Sequence, residues 1–250
     1  MNLFYHPEIN NLQTIILSEE ESTHAIRVLR MKAGDAIFMT DGKGMFYEAE
    51  IIYDNSKKCL VKIVKSVADK SKRNFHLIIA IAPTKSIDRF EWFLEKATEI
   101  GCDEIIPISC KHSERTSIKA ERLNKVIVSA MKQCLKSQLP KLNELKDFKI
   151  FIESTKQFSG QKFIGHIPEV SESKFPPQNP NGKPLSKSLI LNPKSQILIC
   201  IGPEGGFSED EVALAIQNGF TSISLGNSRL RVETAGVVAC SVVNMMYLEQ

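Results

Sequence analysis

Apolar residues along this chain follow one pattern up to about residue 70 and another beyond it. The first part holds short β-rich runs, Asp35 to Thr40, Phe46 to Tyr53 and Cys59 to Val67, with Asp41-Gly42-Lys43-Gly44 as the turn between the first two. One helix interrupts them, opened by Ser18 and Glu21 at capping-box spacing. This pattern predicts a small β-barrel over residues 1–70. The polar stretch from Ala68 to Asn74 reads as a linker.

From residue 71 to residue 250, strand and helix signals alternate, which predicts an α/β domain with a mainly parallel sheet. Strand Phe75 to Ile81 leads to a helix from Ser86 to Ile100, with Ile87, Phe90, Leu94 and Ala97 on its buried stripe and Gly101 as the stop. Residues 119–136 read as an amphipathic helix with Leu123, Val126, Ile127, Ala130, Met131 and Cys134 inward and lysines outward. A proline-rich stretch from about residue 168 to 195 reads as an exposed connection.

Two glycine-bearing loops near the C-terminus carry the chemical signal. Gln196 to Ile201 is an apolar strand that enters Gly202-Pro203-Glu204-Gly205-Gly206-Phe207, and Ser208 with Glu211 forms a capping box that opens the next helix. Phe220 to Leu225 is a second strand; Gly226-Asn227 turns it, and a helix follows from Thr234 to Leu248 with Ala235, Val238, Val242 and Met245 or Met246 on one face. A glycine turn before a helix attracts anions. Here Glu209, Asp210 and Glu211 fill the first helical turn and would repel a phosphate, and no lysine follows the glycines. A ligand that needs close backbone approach without a phosphate remains, and an adenosyl group joined to a sulfonium amino acid meets that description. Alone, Gly205 and Gly206 could merely turn the chain; the second loop, with Arg229, Arg231 and Glu233, favours a pocket.

Net charge is only +3, but it is unevenly spread. Between residues 111 and 141 eight basic residues face two acidic ones, the pattern of a surface for a polyanion. The N-terminus lacks a signal peptide's basic and apolar blocks and no apolar run reaches membrane-spanning length, so a cytoplasmic chain with no membrane partner is expected. The six cysteines show no Cys-x-x-Cys pair or Cys/His cluster, so neither a metal nor a disulfide framework is expected.

The motifs Gly202 to Phe207 and Leu225 to Ala235 resemble those of the SPOUT superfamily of methyltransferases, and within it the 16S ribosomal RNA uridine N3-methyltransferase family, RsmE. His24 to Asp35 resembles that family's N-terminal signature, and Pro83 to Gly101 its first strand-helix unit. Members commonly carry an arginine where this chain has Ser228, and a glutamate and an arginine near Lys132 and Lys136. The resemblance implies a PUA-like RNA-binding domain over residues 1–70, a SPOUT methyltransferase domain with a C-terminal trefoil knot over residues 71–250, and a homodimer. It also implies S-adenosylmethionine as cofactor, held by Gly202, Glu204, Gly205, Gly206, Leu225, Gly226, Leu230, Arg231, Thr234 and Ala235. The substrate would be 16S ribosomal RNA or the small ribosomal subunit.

Methylation at uridine N3 requires loss of the imide proton, for which Glu233 and Glu204 are candidate bases, with Arg231 and Arg229 as candidate stabilisers of the anion. Arg231 and Glu233 are the preferred catalytic pair. Arg27, Arg30, Lys32, Lys111, Arg115, Lys125, Lys132 and Lys136 are expected to grip the RNA. Two other readings stand beside this one. A ribose 2′-O RNA methyltransferase of the same superfamily shares a similar Gly-Pro-Glu-Gly loop but differs over Leu230 to Ala235. A non-catalytic RNA-binding or ribosome assembly protein would not bind the cofactor.

Overall fold

The computed structural model describes residues 2–9, 13–71, 73–166, 183–192 and 194–248. Most of the proline-rich connection expected over residues 168–195 lies outside them. The chain forms two compact units, one of residues 1–72 with 127–139 and one of residues 73–126 with 140–250.

The first unit contains β1 (Leu3–Tyr5), β2 (Thr14–Ile16), helix α1 (Glu19–Thr23), β3 (Ala36–Thr40), β4 (Met45–Tyr53) and β5 (Leu60–Ala68). The strands form one mixed sheet in the order β1-β3-β4-β5-β2, with β1 parallel to β3 and the other pairings antiparallel. Among the described residues β1 and β2 do not pair, so the small barrel expected is present as a half-barrel. Its concave side is filled by Phe4, Ile15, Leu17, Ile37, Met39, Ile51 and Val61. The β3–β4 turn forms where the glycines predicted it: Asp41 Oδ1 accepts from Lys43 N at 2.7 Å and Met45 N at 3.2 Å, while Gly42 and Gly44 take φ of 71° and 99°. Ser18 caps α1 as expected, and the helix then loosens into a π-turn over His24–Val28.

The second unit contains β6 (Phe75–Ile81), α2 (Ile87–Ile100), β7 (Glu104–Ser109), α3 (Ala120–Gln133), β8 (Lys141–Leu142), β9 (Lys146–Asp147), α4 (Phe148–Ser154), β10 (Gln161–Gly165), α5 (Leu185–Ser188), β11 (Ser195–Ile201), α6 (Glu209–Gln217), β12 (Thr221–Ile223) and α7 (Val232–Leu248). Its strand order is β12-β10-β11-β6-β7-β8, with β9 extending the pairing of β7, and every pairing is parallel. Parallel strands are covered on both faces, which explains why β6 and β11 are almost continuously apolar. Ile78, Ala80, Leu198 and Cys200 pack with Phe148, Phe151 and Ile152 of α4 and Val212 and Ala215 of α6.

The packing of α7 differs from the expected face. Gly236, Ala239, Cys240 and Val243 are buried, whereas Ala235, Val238, Val242 and Met246 are only half-buried and Met245 is 62% exposed. The helix is apolar on nearly every side, so periodicity cannot choose the buried one. Gly236 decides it, because a Cβ there would lie 2.5 Å from the Phe93 ring of α2 and 3.0 Å from Ile81 Cδ1 of β6. A glycine inside a helix costs about 1 kcal/mol relative to alanine, and here it permits the close approach.

The division between units falls within α3: Ala120–Val126 counts with the second unit and Ile127 onwards with the first. Residues 127–139 are therefore part of the N-terminal unit's own fabric. Gly44 N donates to Ser137 O at 3.0 Å, Leu139 N to Gly42 O at 2.9 Å, Thr40 Oγ1 to Ser137 O at 3.2 Å, and Ser137 Oγ to Asp69. Burial raises the Asp69 carboxyl, but hydrogen bonds from Ser137 and Ser71 outweigh it and leave the group below its ordinary value.

At the amino ends of β6 and β7, Glu104 faces His76 at 3.8 Å, Asn143 at 2.7 Å and Lys141 at 3.3 Å. Pairing with His76, followed by Asn143 and Lys141, outweighs burial and lowers Glu104 from its ordinary 4.5 to about 2; the same pairing raises His76 above 6.5. A carboxyl lowered in the folded state adds stability that is full above pH 4.5 and is lost as pH falls toward about 2. A raised imidazole adds stability that is full below pH 6.5 and is lost as pH rises through its folded value. Melting temperatures of wild type and Glu104→Gln should therefore differ most between these limits, converge as pH falls toward about 2, and keep the smaller gap due to Asn143 and Lys141 as pH rises past the His76 value. Curves separated by a constant offset would contradict this linkage.

Candidate active site

In an open parallel sheet, ligands bind beyond the carboxyl ends of the strands where the chain order reverses. Here the reversal lies between β11 and β6: after β6 the chain moves outward to β7, and after β11 it moves the other way to β12. The loops above this crevice are residues 82–86 after β6 and 202–208 after β11. The first glycine motif thus stands at the switch point. Residues 110–119 follow the neighbouring β7, and residues 224–231 lead from β12 into α7.

The 202–208 turn is built by packing as much as by glycine freedom. Gly206 N donates to Pro203 O at 2.8 Å, and Phe207 is buried against Phe148 with ring centroids 5.2 Å apart. A Cβ on Gly202 would meet the Phe207 ring at 3.0 Å, and one on Gly205 would meet His112 Cβ at 2.9 Å. These two glycines make room for protein side chains. Gly206 is different: its φ is 73° and its Cβ position has nothing within 4 Å. Gly226 in the second loop likewise has φ of 134° and open space. Open space beside two left-handed glycines is what close backbone approach by a ligand requires.

The expected capping box is present, with Ser208 N donating to Glu211 Oε2 at 2.8 Å and Glu211 N to Ser208 Oγ at 3.4 Å. The other Glu211 oxygen accepts from Lys111 N at 2.8 Å. Glu204 Oε1 accepts from Lys85 N at 2.9 Å, which ties the turn to the loop after β6. Lys85 Nζ lies 2.7 Å from Glu114, a hydrogen bond that raises its pKa. Arg115 donates through Nε to Thr84 O at 3.0 Å and through Nη2 to Lys85 O at 2.6 Å.

The second motif supplies a mixture of exposed and enclosed groups. Leu225, Leu230, Thr234 and Ala235 are half-buried, while Arg229 and Arg231 are exposed. Ser224 Oγ accepts from Gly226 N at 3.2 Å, and Ser224 also pairs with Lys183 and Leu185 through the backbone. Residues 183–189 are therefore not simply exposed connection; Leu185 is buried. Glu233, in the first turn of α7, is 7% exposed and faces Arg89 Nε of α2 at 3.9 Å. Among the described residues no hydrogen bond joins the 202–208 and 224–231 loops directly. Residues 85–89 reach the first loop and the helix that follows the second, with Lys85 N donating to Glu204 and Arg89 facing Glu233 of α7.

The basic candidates divide by what already holds them. Arg27, Arg30 and Lys32 are exposed in the first unit, with Arg30 at φ of 58°, a conformation uncommon outside glycine. Sequence reasoning missed the adjoining turn with exposed Lys57 and Lys58, which Thr23 Oγ1 fastens to α1 by donating to Ser56 O at 3.0 Å. Lys111 is exposed, and Lys125 is exposed beside Glu121 at 3.3 Å. Arg115 is engaged by backbone carbonyls, and Lys136 is half-buried. Lys132, expected on the outward face, instead bonds the buried Glu21 at 2.6 Å.

The six cysteines are free thiols. Burial raises the thiols of Cys110 and Cys200 well above their ordinary range, which makes them inert nucleophiles. Among the described residues no helix is long and apolar enough to cross a membrane.

The RNA methyltransferase domain family matches residues 71–244, and the RNA methyltransferase PUA domain family matches residues 17–64. A crystal structure of a probable rRNA-methyltransferase from Porphyromonas gingivalis is 39% identical, with a TM-score of 0.86 and 99% of both chains covered. The ribosomal RNA small subunit methyltransferase E of Neisseria gonorrhoeae, whose structure is bound to S-adenosyl methionine, is 26% identical, with a TM-score of 0.82 and 99% and 98% of the two chains covered. The corresponding protein of Mesomycoplasma hyopneumoniae is 30% identical over 85% of this chain and 86% of its own.

The Lys132–Glu21 pair makes a prediction about stability. Breaking a buried ion pair strands a charge at about 3–5 kcal/mol, and Lys132, whose side chain is 24% exposed, should give less than that. Denaturant melts of Lys132→Ala should show a loss of about 1–3 kcal/mol, whereas a surface lysine would give a near-zero change.

Proposed function

This chain belongs to the RNA methyltransferase family that includes the ribosomal RNA small subunit methyltransferases E, and from that membership we propose that it methylates N3 of a uridine in 16S ribosomal RNA, using S-adenosylmethionine. The observation that carries the proposal is the open space beside Gly206, at the switch point of the parallel sheet, and beside Gly226, in the loop that leads from β12 into α7. It suits a cofactor read through its adenosyl and amino-acid parts, and the carboxylates of Glu209, Asp210 and Glu211 disfavour a phosphate.

Bound S-adenosylmethionine supplies an electrophilic methyl group. The backbone of Gly202, Glu204, Gly205 and Gly206 forms one wall of its site, and Leu225, Gly226, Leu230, Arg231, Thr234 and Ala235 form the other. Leu225 and Leu230, half-buried, would flank the adenine. The chain's main contribution is alignment of acceptor and methyl, worth several kcal/mol as proximity. Glu233, carboxylate of a nearly enclosed first helical turn, takes the imide proton, and the exposed guanidinium of Arg231 steadies the anion left on the uracil ring.

RNA is gripped by exposed cations of the first unit, Arg27, Arg30, Lys32, Lys57 and Lys58, together with Lys111, Lys125 and Lys136. Residues 1–70 serve as the RNA-binding domain and residues 71–250 as the catalytic one, in the cytoplasm with the ribosomal RNA. The return of the chain from the edge strand β12 to α7, against β6 and α2, is consistent with a trefoil knot. The half-buried and exposed apolar side of α7, with Val238, Val242 and Met245, fits a homodimer contact.

Mass-spectrometric nucleoside analysis of ribosomal RNA tests the reaction: N3-methyluridine should vanish from 16S RNA when the gene is deleted and return with the wild-type gene. It should not return with Gly206→Val, in which a β-branched residue is forced to φ of 73° and fills the open space. A 2′-O-methylated nucleoside, or no change, would reject the assignment. Sedimentation of Val242→Glu should give a monomer where the wild type gives a dimer; an unchanged dimer would place the contact elsewhere.

A further inference from the structure

We propose that His112, on the loop after β7, is a positioning residue that sets the Gly205-Gly206 turn for cofactor binding. The proposal rests on the reading of that turn as part of the S-adenosylmethionine site. Two independent features of the geometry support it. The Nδ1 atom of His112 lies 3.2 Å from the carbonyl oxygen of Gly206. The ring also occupies the side of Gly205 where a Cβ would stand, since that atom would fall 2.9 Å from His112 Cβ, 3.4 Å from Cγ and 3.6 Å from Nδ1. Gly205 therefore has a different task from Gly206. It leaves room for the histidine, and the histidine fixes the carbonyl of the glycine whose open side faces outward.

A carbonyl oxygen has no proton to give, so Nδ1 must carry the hydrogen in this contact. That settles the tautomer of the neutral ring, in which Nε2 is left as the acceptor. Protonation at Nε2 keeps the Nδ1–H bond. The residues around His112 hold its own loop in place: Lys111 N bonds Glu211 of α6, Ser113 Oγ accepts from Cys110 N at 2.9 Å, and Arg115 grips the carbonyls of Thr84 and Lys85. Loop 110–115 is thus fastened to α6 and to the loop after β6, and His112 is the point at which it fastens the glycine turn. Without His112 the peptide after Gly206 loses its partner and the turn, flanked by two glycines, regains conformational freedom.

The test uses His112→Ala and His112→Asn in the full chain, with two readouts: amide hydrogen exchange over residues 203–208 in the absence of cofactor, and S-adenosylmethionine affinity by calorimetry. Asparagine carries an N–H donor at the position of Nδ1, so it can replace the hydrogen bond without the ring. His112→Ala should speed exchange in the turn and weaken cofactor binding about tenfold, and His112→Asn should recover most of both. Unchanged exchange and affinity in His112→Ala would overturn the proposal, as would an asparagine variant no better than alanine. Faster exchange throughout β6 and β11 would also overturn it, because the effect would then be general loss of structure. If exchange follows the expected order while wild type itself shows no affinity for S-adenosylmethionine, the positioning role stands and the cofactor reading fails.

Discussion

The parallel pairing of β11 with β6, unbroken from Ser195 opposite Phe75 to Ile201 opposite Ile81, is the contact on which the candidate site depends. It joins strands more than a hundred residues apart and ends both at the same level, so that Ala82 N can donate to Ile201 O at 3.0 Å. The loops that leave these strands are then neighbours that run in opposite directions across the sheet. The crevice follows from strand order, and the buried apolar runs of both strands hold it open from below.

Glycines shape that site in two opposite ways. Gly202, Gly205 and Gly236 remove a side chain so that another part of the protein can close in: the ring of Phe207, His112, and the ring of Phe93. Gly206 and Gly226 take left-handed backbone conformations and face open space. Only the second kind prepares room for a ligand. The first kind makes the walls rigid, which matters because a site that acts mainly by alignment loses rate with small displacements.

Charge is used in the same divided manner. The basic excess between residues 111 and 141 looks from the sequence like a uniform surface for a polyanion. Part of it is already paired within the protein: Arg115 binds two carbonyls, Arg122 binds Glu91, and Lys132 binds buried Glu21. The cations left exposed lie partly elsewhere, on the loosened turn after α1 and on the turn at Lys57 and Lys58. A helical wheel treats lysines as outward by default, whereas a lysine whose long stem spans a half-buried position can deliver its ammonium to a buried carboxylate.

The sequence by itself determined the α/β class, the strands β3 to β6 and β11, helices α2 and α3, the capping box of α6 and the location of both glycine loops, and with them membership of the family. These features are local: a period, a cap or a turn residue acts within a few positions of itself. Tertiary structure alone decided which side of α7 is buried, because a helix apolar all round has no preferred face until Gly236 meets Phe93. It also decided that residues 127–139 belong with the N-terminal unit, that Lys132 is held inward by Glu21, and that His112 stands over Gly205. Each of these depends on a partner distant in sequence, and the chain carries no local mark of which distant residue will arrive.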